Sequence, residues 1–363
     1  MPPVPRAGSP QAVDEAAEGR PQHSNSFDAI RMGAAFCVFY SHEFGMAGYV
    51  EPPLGPLGIT LSSTGLYIFF GLSGYLVFKS LDRDPRVARY LAARALRIFP
   101  AWIVCILACA ALGACVTSLG AGAFWRDPQT RAFLLHNLPI VSTPTQFYLP
   151  GVFASARWSA VNGSIWTVKY ELLCYLALLV PYKLIPPSLM SRRTWLTVAG
   201  LALLVAYVHH ITTTPNPVPE VFFSQYNAFN VLRFFLTFAA GALYAASEPL
   251  NERARLAALL IPGGLITFGP SPEIARAGII LLLTLLVIEL GKSRLLFSRT
   301  YRRIGDLSYG TFLYAYPIQN LITTELFDGT NFAFVVALST AAILCCAFVS
   351  WRLIERPALR LKW

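Results

Sequence analysis

Residues 27–48 read FDAIRMGAAFCVFYSHEFGMAG, a run apolar enough to enter a bilayer that nonetheless carries Arg31 near one end and His42 near the other. At ~100° per residue the eleven steps from one to the other amount to about three turns plus 20°, which puts both side chains on one stripe of a helix roughly 16 Å apart. Both can therefore face a single cavity inside a helical bundle.

The rest of the chain reads the same way. Hydrophobic residues make up 55% and charged residues 13% of the 363 positions, with a mean hydropathy of +0.52, far below the charged fraction of about 25% usual in soluble domains. Apolar spans of ~17–25 residues can be drawn near 27–46, 57–80, 97–119, 163–183, 194–211, 228–246, 254–270, 274–291, 306–325 and 331–353. The fold class is thus an all-α polytopic membrane protein of about ten transmembrane helices. The seventh and eighth spans are broken closely by PGGLITFGPSPEIARAG and can also be read as a re-entrant hairpin. Residues 131–142, RAFLLHNLPIVS, are too short to span and suit the interface.

The net charge of +10 raises the question of nucleic acid, which the placement of the basic residues answers in the negative. Lys79 to Arg97 follow span two, Lys183, Arg192 and Arg193 span four, Arg253 and Arg255 span six, and Lys292 to Arg303 span eight; Arg352, Arg356, Arg360 and Lys362 end the chain. The odd connections are poor in Lys and Arg, so the positive-inside rule puts both termini in the cytoplasm. Residues 1–26 read as a disordered cytoplasmic tail, 27–355 as the transmembrane domain and 356–363 as a short basic tail. Seven cysteines fall in apolar segments without disulfide or metal-site spacing and read as packing residues.

Ionisable groups within spans are costly and therefore candidate functional residues. Counting helix four as entering from outside puts Glu171 at the depth of His42, where a carboxylate could fix the tautomer of a histidine general base. Ion pairs from Glu171 to Lys169 or Arg233 compete with that reading, and Arg31 alone could be a snorkelling anchor. Arg94 and Arg97 share a helical face, and paired guanidiniums suit phosphates because their planar forks bind oxygens bidentately. A topological cluster is the plainer account of the pair. No metal site is expected.

Arg31 and His42 with ten residues between them, GLYIFFGLSGYLVFKSL (65–81), the R-x-x-R pair Arg94 and Arg97, GSIWTVKYELLCYL (163–176), LSYGTFLYAYPIQ (308–320) and RLIERPALRL (352–361) together resemble the membrane acyltransferase-3 family, in order and over almost the whole chain. Ala315 stands where many members carry a histidine, so that helix is assigned no acid or base, and the hydrolase-like domain fused to some relatives is missing. The resemblance implies transfer of an acyl group, most often acetyl, from acyl-CoA to a hydroxyl of a carbohydrate or glycan, at the inner membrane. His42, Glu171 and Arg31 become the catalytic candidates, and Arg94 and Arg97 the candidates for binding the acyl-CoA donor, acetyl-CoA first among them. A transporter or flippase with an intramembrane Arg/His/Glu relay is the alternative. His209, His210 and the aromatic run 220–235 could line an acceptor site or an interface belt, and Arg299, Arg302 and Arg303 form a second basic patch.

Overall fold

A computed structural model describes residues 26–51, 53–54, 57–214, 225–293 and 304–362. The long helices are α1 (Phe27–Met46), α2 (Leu61–Arg83) and α3 (Val87–Val116), followed by the short α4 (Ala121–Arg126) and α5 (Pro128–Asn137). Next come α6 (Val168–Leu184), entered through a 3₁₀ turn at Ile165–Thr167, then α7 (Arg192–Thr213), α8 (Ala228–Ala246), α9 (Glu252–Phe268) and α10 (Pro272–Lys292). After them, α11 (Ser308–Leu326) and α12 (Phe332–Ser350) lead through a π turn, Trp351–Glu355, into α13 (Arg356–Arg360). Among the described residues there is no strand, and seven helices have the length and mean hydropathy to cross a bilayer. The helix α1 is not one of the seven, because Asp28, Arg31 and Glu43 lie along it. The expected tail over residues 1–25 and the basic patch at 299–303 lie outside the described residues.

Polar side chains open several of the helices. Thr60, Ser191, Asn227, Asn251 and Ser271 each accept a hydrogen bond from a backbone N–H of the first turn of α2, α7, α8, α9 and α10, satisfying a donor that no helical carbonyl can reach. The seventh and eighth spans are two separate helices, α9 and α10, packed as an antiparallel hairpin. At 30 residues, α3 is about 45 Å long, too long for a hydrocarbon core of ~30 Å. Its first three turns carry Arg89, Arg94 and Arg97.

The bundle centres on α2, which packs against α1 and α8, with α11 on the other side of α1. Small residues let α2 and α8 touch backbone to backbone: a Cβ at Gly74 would lie 2.0 Å from the carbonyl oxygen of Phe238, and one at Gly241 2.1 Å from that of Gly71. Such close approach is what drives helix association where lipid offers no hydrophobic advantage, and it stacks Phe70 on Phe234 with ring centroids 4.2 Å apart. Gly241→Ala is therefore expected to lower the melting temperature of the detergent-solubilised protein. Gly263→Ala, on an open face of α9 with no atom within 4 Å, should leave it unchanged or raise it, since Ala favours helix by up to ~1 kcal/mol. Equal melting of the two variants would reject the account of the α2–α8 contact. The helix α7 buries only Trp195, Leu196 and Tyr207 and presents apolar side chains on its other faces, as a lipid-facing helix does.

Residues 138–164 do not lie on the surface as an ordinary loop would. They fold back into the bundle, burying Phe147, Leu149, Phe153, Val161, Asn162 and Ser164. Irregular backbone at this depth needs internal partners: Asn162 Nδ2 donates to the carbonyl of Leu313 at 2.9 Å, and Asn320 Nδ2 donates to those of Trp158 and Ala160 at 2.7 and 2.8 Å. The consequence is that α6 starts deep inside the bundle. Of the cysteines, 105, 109 and 174 are buried packing residues as expected, whereas 115, 345 and 346 are exposed.

Candidate functional site

A cavity of about 1050 Å³ runs between α1, α2, α3, α6 and α11. Along α2 its lining extends from Arg83 to Leu66, seventeen residues or about 26 Å of helix. The mouth is polar, with Arg83, Arg89, Arg94, Arg97, Arg31 and Lys362 facing Asp28, Asp84 and Asp306. The floor is apolar, made of Leu66, Phe69, Phe70 and Phe312, and the rings of Phe69 and Phe312 meet edge to face with centroids 5.8 Å apart.

Of the sequence-predicted residues, Arg31, Arg94, Arg97 and Glu171 all line this one cavity. The arginines differ in what holds them. Arg97 pairs with Asp306 at 2.5 Å and with Glu355 at 3.6 Å, and Arg31 pairs with Asp306 at 3.2 Å. Asp306 occupies the turn ahead of α11 and also accepts from the N–H and hydroxyl of Ser308. Two guanidiniums share this one carboxylate. Arg97 is thus a partner of two carboxylates before it is a phosphate ligand. Arg94 has a different environment: its guanidinium lies 5.8 Å from the Tyr175 ring, and its buried Nε has no hydrogen-bond partner among the described residues.

His42 is not in this cavity. A Cβ on Gly65 would press on the carbonyl of Ala34 and the side chain of Val38, so the floor residue Leu66 lies level with that part of α1. His42 stands four residues further along, about 6 Å. Its ring meets Tyr316 edge to face at 5.1 Å, Trp158 stacks on Tyr316 at 6.4 Å, and its buried Nδ1 has no hydrogen-bond partner among the described residues. The candidate base therefore packs against Tyr316, beside Trp158 of the inserted segment, about one helical turn beyond the cavity floor.

The expected pairing of Glu171 with His42 is not formed. Glu171 accepts from Ser73 at 3.2 Å and from the hydroxyl of Tyr175. The reason is the depth of the inserted segment: Asn162, level with Leu313 of α11, is nine residues before Glu171, and the helical part of that run carries the carboxylate down towards the basic mouth. The alternative ion pairs do not describe it either, for Lys169 donates to Thr145 at 3.2 Å and the Arg233 guanidinium lies 4.5 Å from the Phe234 ring. Ala315 packs in an apolar cluster with Phe39 and Ile343. His209 and His210 ride on α7, which packs against α8 and α10 rather than against α1, and residues 215–224 of the proposed acceptor region lie outside the described residues.

Sequence reasoning passed over Asp306, Glu355, Trp158 and Glu43. Glu43, next to His42, is fully buried; it accepts from Gln319 of α11 and from Ser339 of α12 at 3.1 Å, tying three helices beside the candidate base. Its signal was present, since a carboxylate within an apolar span invites a search for buried partners.

The sequence profile of a family described as an acyltransferase domain matches residues 24–351. The chain is 25% identical over 340 residues to a protein named O-acetyl transferase from Shigella phage Sf6, covering 93% of this chain and 96% of that one. It is 26% identical over 374 residues to Nodulation protein 10 of Rhizobium leguminosarum bv. viciae, covering 94% of each. No solved structure matches it.

Proposed function

The chain belongs to the membrane acyltransferase-3 family and is an O-acyltransferase, and from that premise we propose that it moves an acetyl group from acetyl-CoA to a hydroxyl of a glycan, with His42 as general base. The observation that carries this reading is a long cavity with a cationic mouth and an apolar floor, and a half-buried histidine about one turn beyond that floor. A donor with phosphates at one end and a thioester at the other fits the cavity. A hydroxyl nucleophile needs a base at the thioester end.

The positive-inside rule favours a cytoplasmic basic end, where acyl-CoA is met, with His42 on the side from which an envelope glycan would come. In the reaction His42 takes the proton of the acceptor hydroxyl as its oxygen bonds to the thioester carbonyl carbon; the C–S bond then breaks, and the coenzyme A thiolate takes the proton back from the imidazolium. Phe69 and Phe312 line the cavity floor, which the acyl group must pass to reach His42. Glu171, held by Ser73 and Tyr175, shapes the donor wall instead of orienting the base. A transporter is the weaker reading, because the relative whose name states a chemistry is an acetyl transferase and because Glu171 and His42 form no relay.

The test is to incubate the purified protein with acetyl-CoA and an envelope glycan extract from the host cell. Free coenzyme A should appear in step with acetyl ester on the glycan. Uptake or flipping of glycan without coenzyme A release would favour the transporter.

A further inference from the structure

We propose that Lys362 and Arg94, neighbouring cations at the mouth of the cavity, form a phosphate-binding clamp, so that the segment following α13 supplies part of the donor site. The inference rests on the acyl-CoA reading above.

The charges at the mouth do not balance. Arg31 and Arg97 are engaged with Asp306 and Glu355, and Arg89 pairs with Asp84 at 3.2 Å. Arg94 and Lys362 line the same opening and form no ion pair among the described residues. They are neighbours from two elements in contact: Arg94 from α3, and Lys362 from the chain just past α13, which packs against α3. Two adjacent cations repel each other until an anion sits against both, and a phosphate oxygen array satisfies an ammonium and a guanidinium together.

The ammonium already feels its neighbours. Partial burial at the rim pushes its pKa down, and Arg94, Arg97 and Arg31 push it the same way, to about 8. The charged groups that line the opening with it are Arg83 on α2 and Asp84 at its end, Arg89, Arg94 and Arg97 on α3, Asp28 and Arg31 on α1, and Asp306 ahead of α11. The protonated form binds the anion. Donor affinity should therefore be full below pH 8 and fall as the pH rises through it, and a bound phosphate would move that fall upwards.

The experiment measures coenzyme A binding to the purified full-length protein, as wild type, Lys362→Met, Lys362→Arg and Arg360→Met. Arg360 is an exposed cation two residues away that does not line the cavity. At low salt Lys362→Met should weaken binding about five- to tenfold, with the difference shrinking as salt rises. Lys362→Arg should hold affinity and flatten the loss between pH 7 and 9, because a guanidinium stays charged. Dephospho-coenzyme A, which lacks the 3′-phosphate, assigns the contact: if the Lys362→Met defect disappears with it, the clamp holds the 3′-phosphate, and if it persists, the pyrophosphate. Wild-type affinity in Lys362→Met, or an equal loss in Arg360→Met, would overturn the clamp while leaving the acyl-CoA reading in place. Failure of the wild type to bind coenzyme A would overturn both.

Discussion

His42→Ala should abolish acetyl transfer, with a loss on the order of 10²–10⁴ in turnover, the range typical for removal of a positioned general base, while coenzyme A still binds. The two halves of that result follow from the position of His42. His42 lies beyond the apolar floor and touches Tyr316 and not the cavity, so its removal leaves the donor walls as they were. The measurement is a pair: steady-state release of coenzyme A in the presence of acceptor, and equilibrium binding of coenzyme A to the same preparation. Turnover near the wild-type rate would remove His42 from the chemistry. Loss of both readouts would mean that the truncation had let the packing around His42 collapse, and Trp158 and Tyr316, stacked beside it, would then be the elements to restore. Glu171→Gln serves as the contrast. Its amide oxygen can still accept from Ser73 and Tyr175, so it should weaken the donor step and leave more turnover than His42→Ala does; an equal loss would revive a coupling between the two residues.

Much of this arrangement could be read from the sequence because its causes are local. Arg31 and His42 share a stripe by helical periodicity alone, and the long apolar runs specify helices whatever packs around them. The Arg94 and Arg97 pair landed in the cavity for the same reason: both sit on a continuous helix whose start and length were visible. What could not be read was depth. Placing Glu171 beside His42 assumed that α6 begins at the membrane surface, and that assumption fails because residues 138–164 descend into the bundle and anchor on Leu313 and Asn320. No periodicity marks an inserted segment of irregular backbone. Asp306 and Glu355 were missed for a related reason, since each is more than 200 residues from Arg97 in the chain, and a buried ion pair leaves no local pattern in either partner's neighbourhood.

Asp306→Asn should be the most destabilising conservative change at the mouth. The carboxylate is 11% exposed and stands between two guanidiniums, Arg97 at 2.5 Å and Arg31 at 3.2 Å. Removing one partner of a buried pair typically costs ~3–5 kcal/mol because it strands the other charge. The arginines keep 17% and 21% exposure and Arg97 keeps Glu355, so the expected cost is near the lower end, about 3 kcal/mol. Arg31→Met in the same background removes the charge most completely stranded, and should recover part of the lost stability, a non-additivity that a contact-free pair would not show. Binding should move the other way. With Asp306 neutral the mouth gains one positive charge, so coenzyme A affinity per folded molecule should rise even as the melting temperature falls, provided the arginines and not the aspartate meet the donor. Melting at the wild-type temperature would show that the pair contributes nothing to the fold. A fall in both stability and affinity would show instead that Asp306 holds the arginines in the one geometry that accepts phosphate.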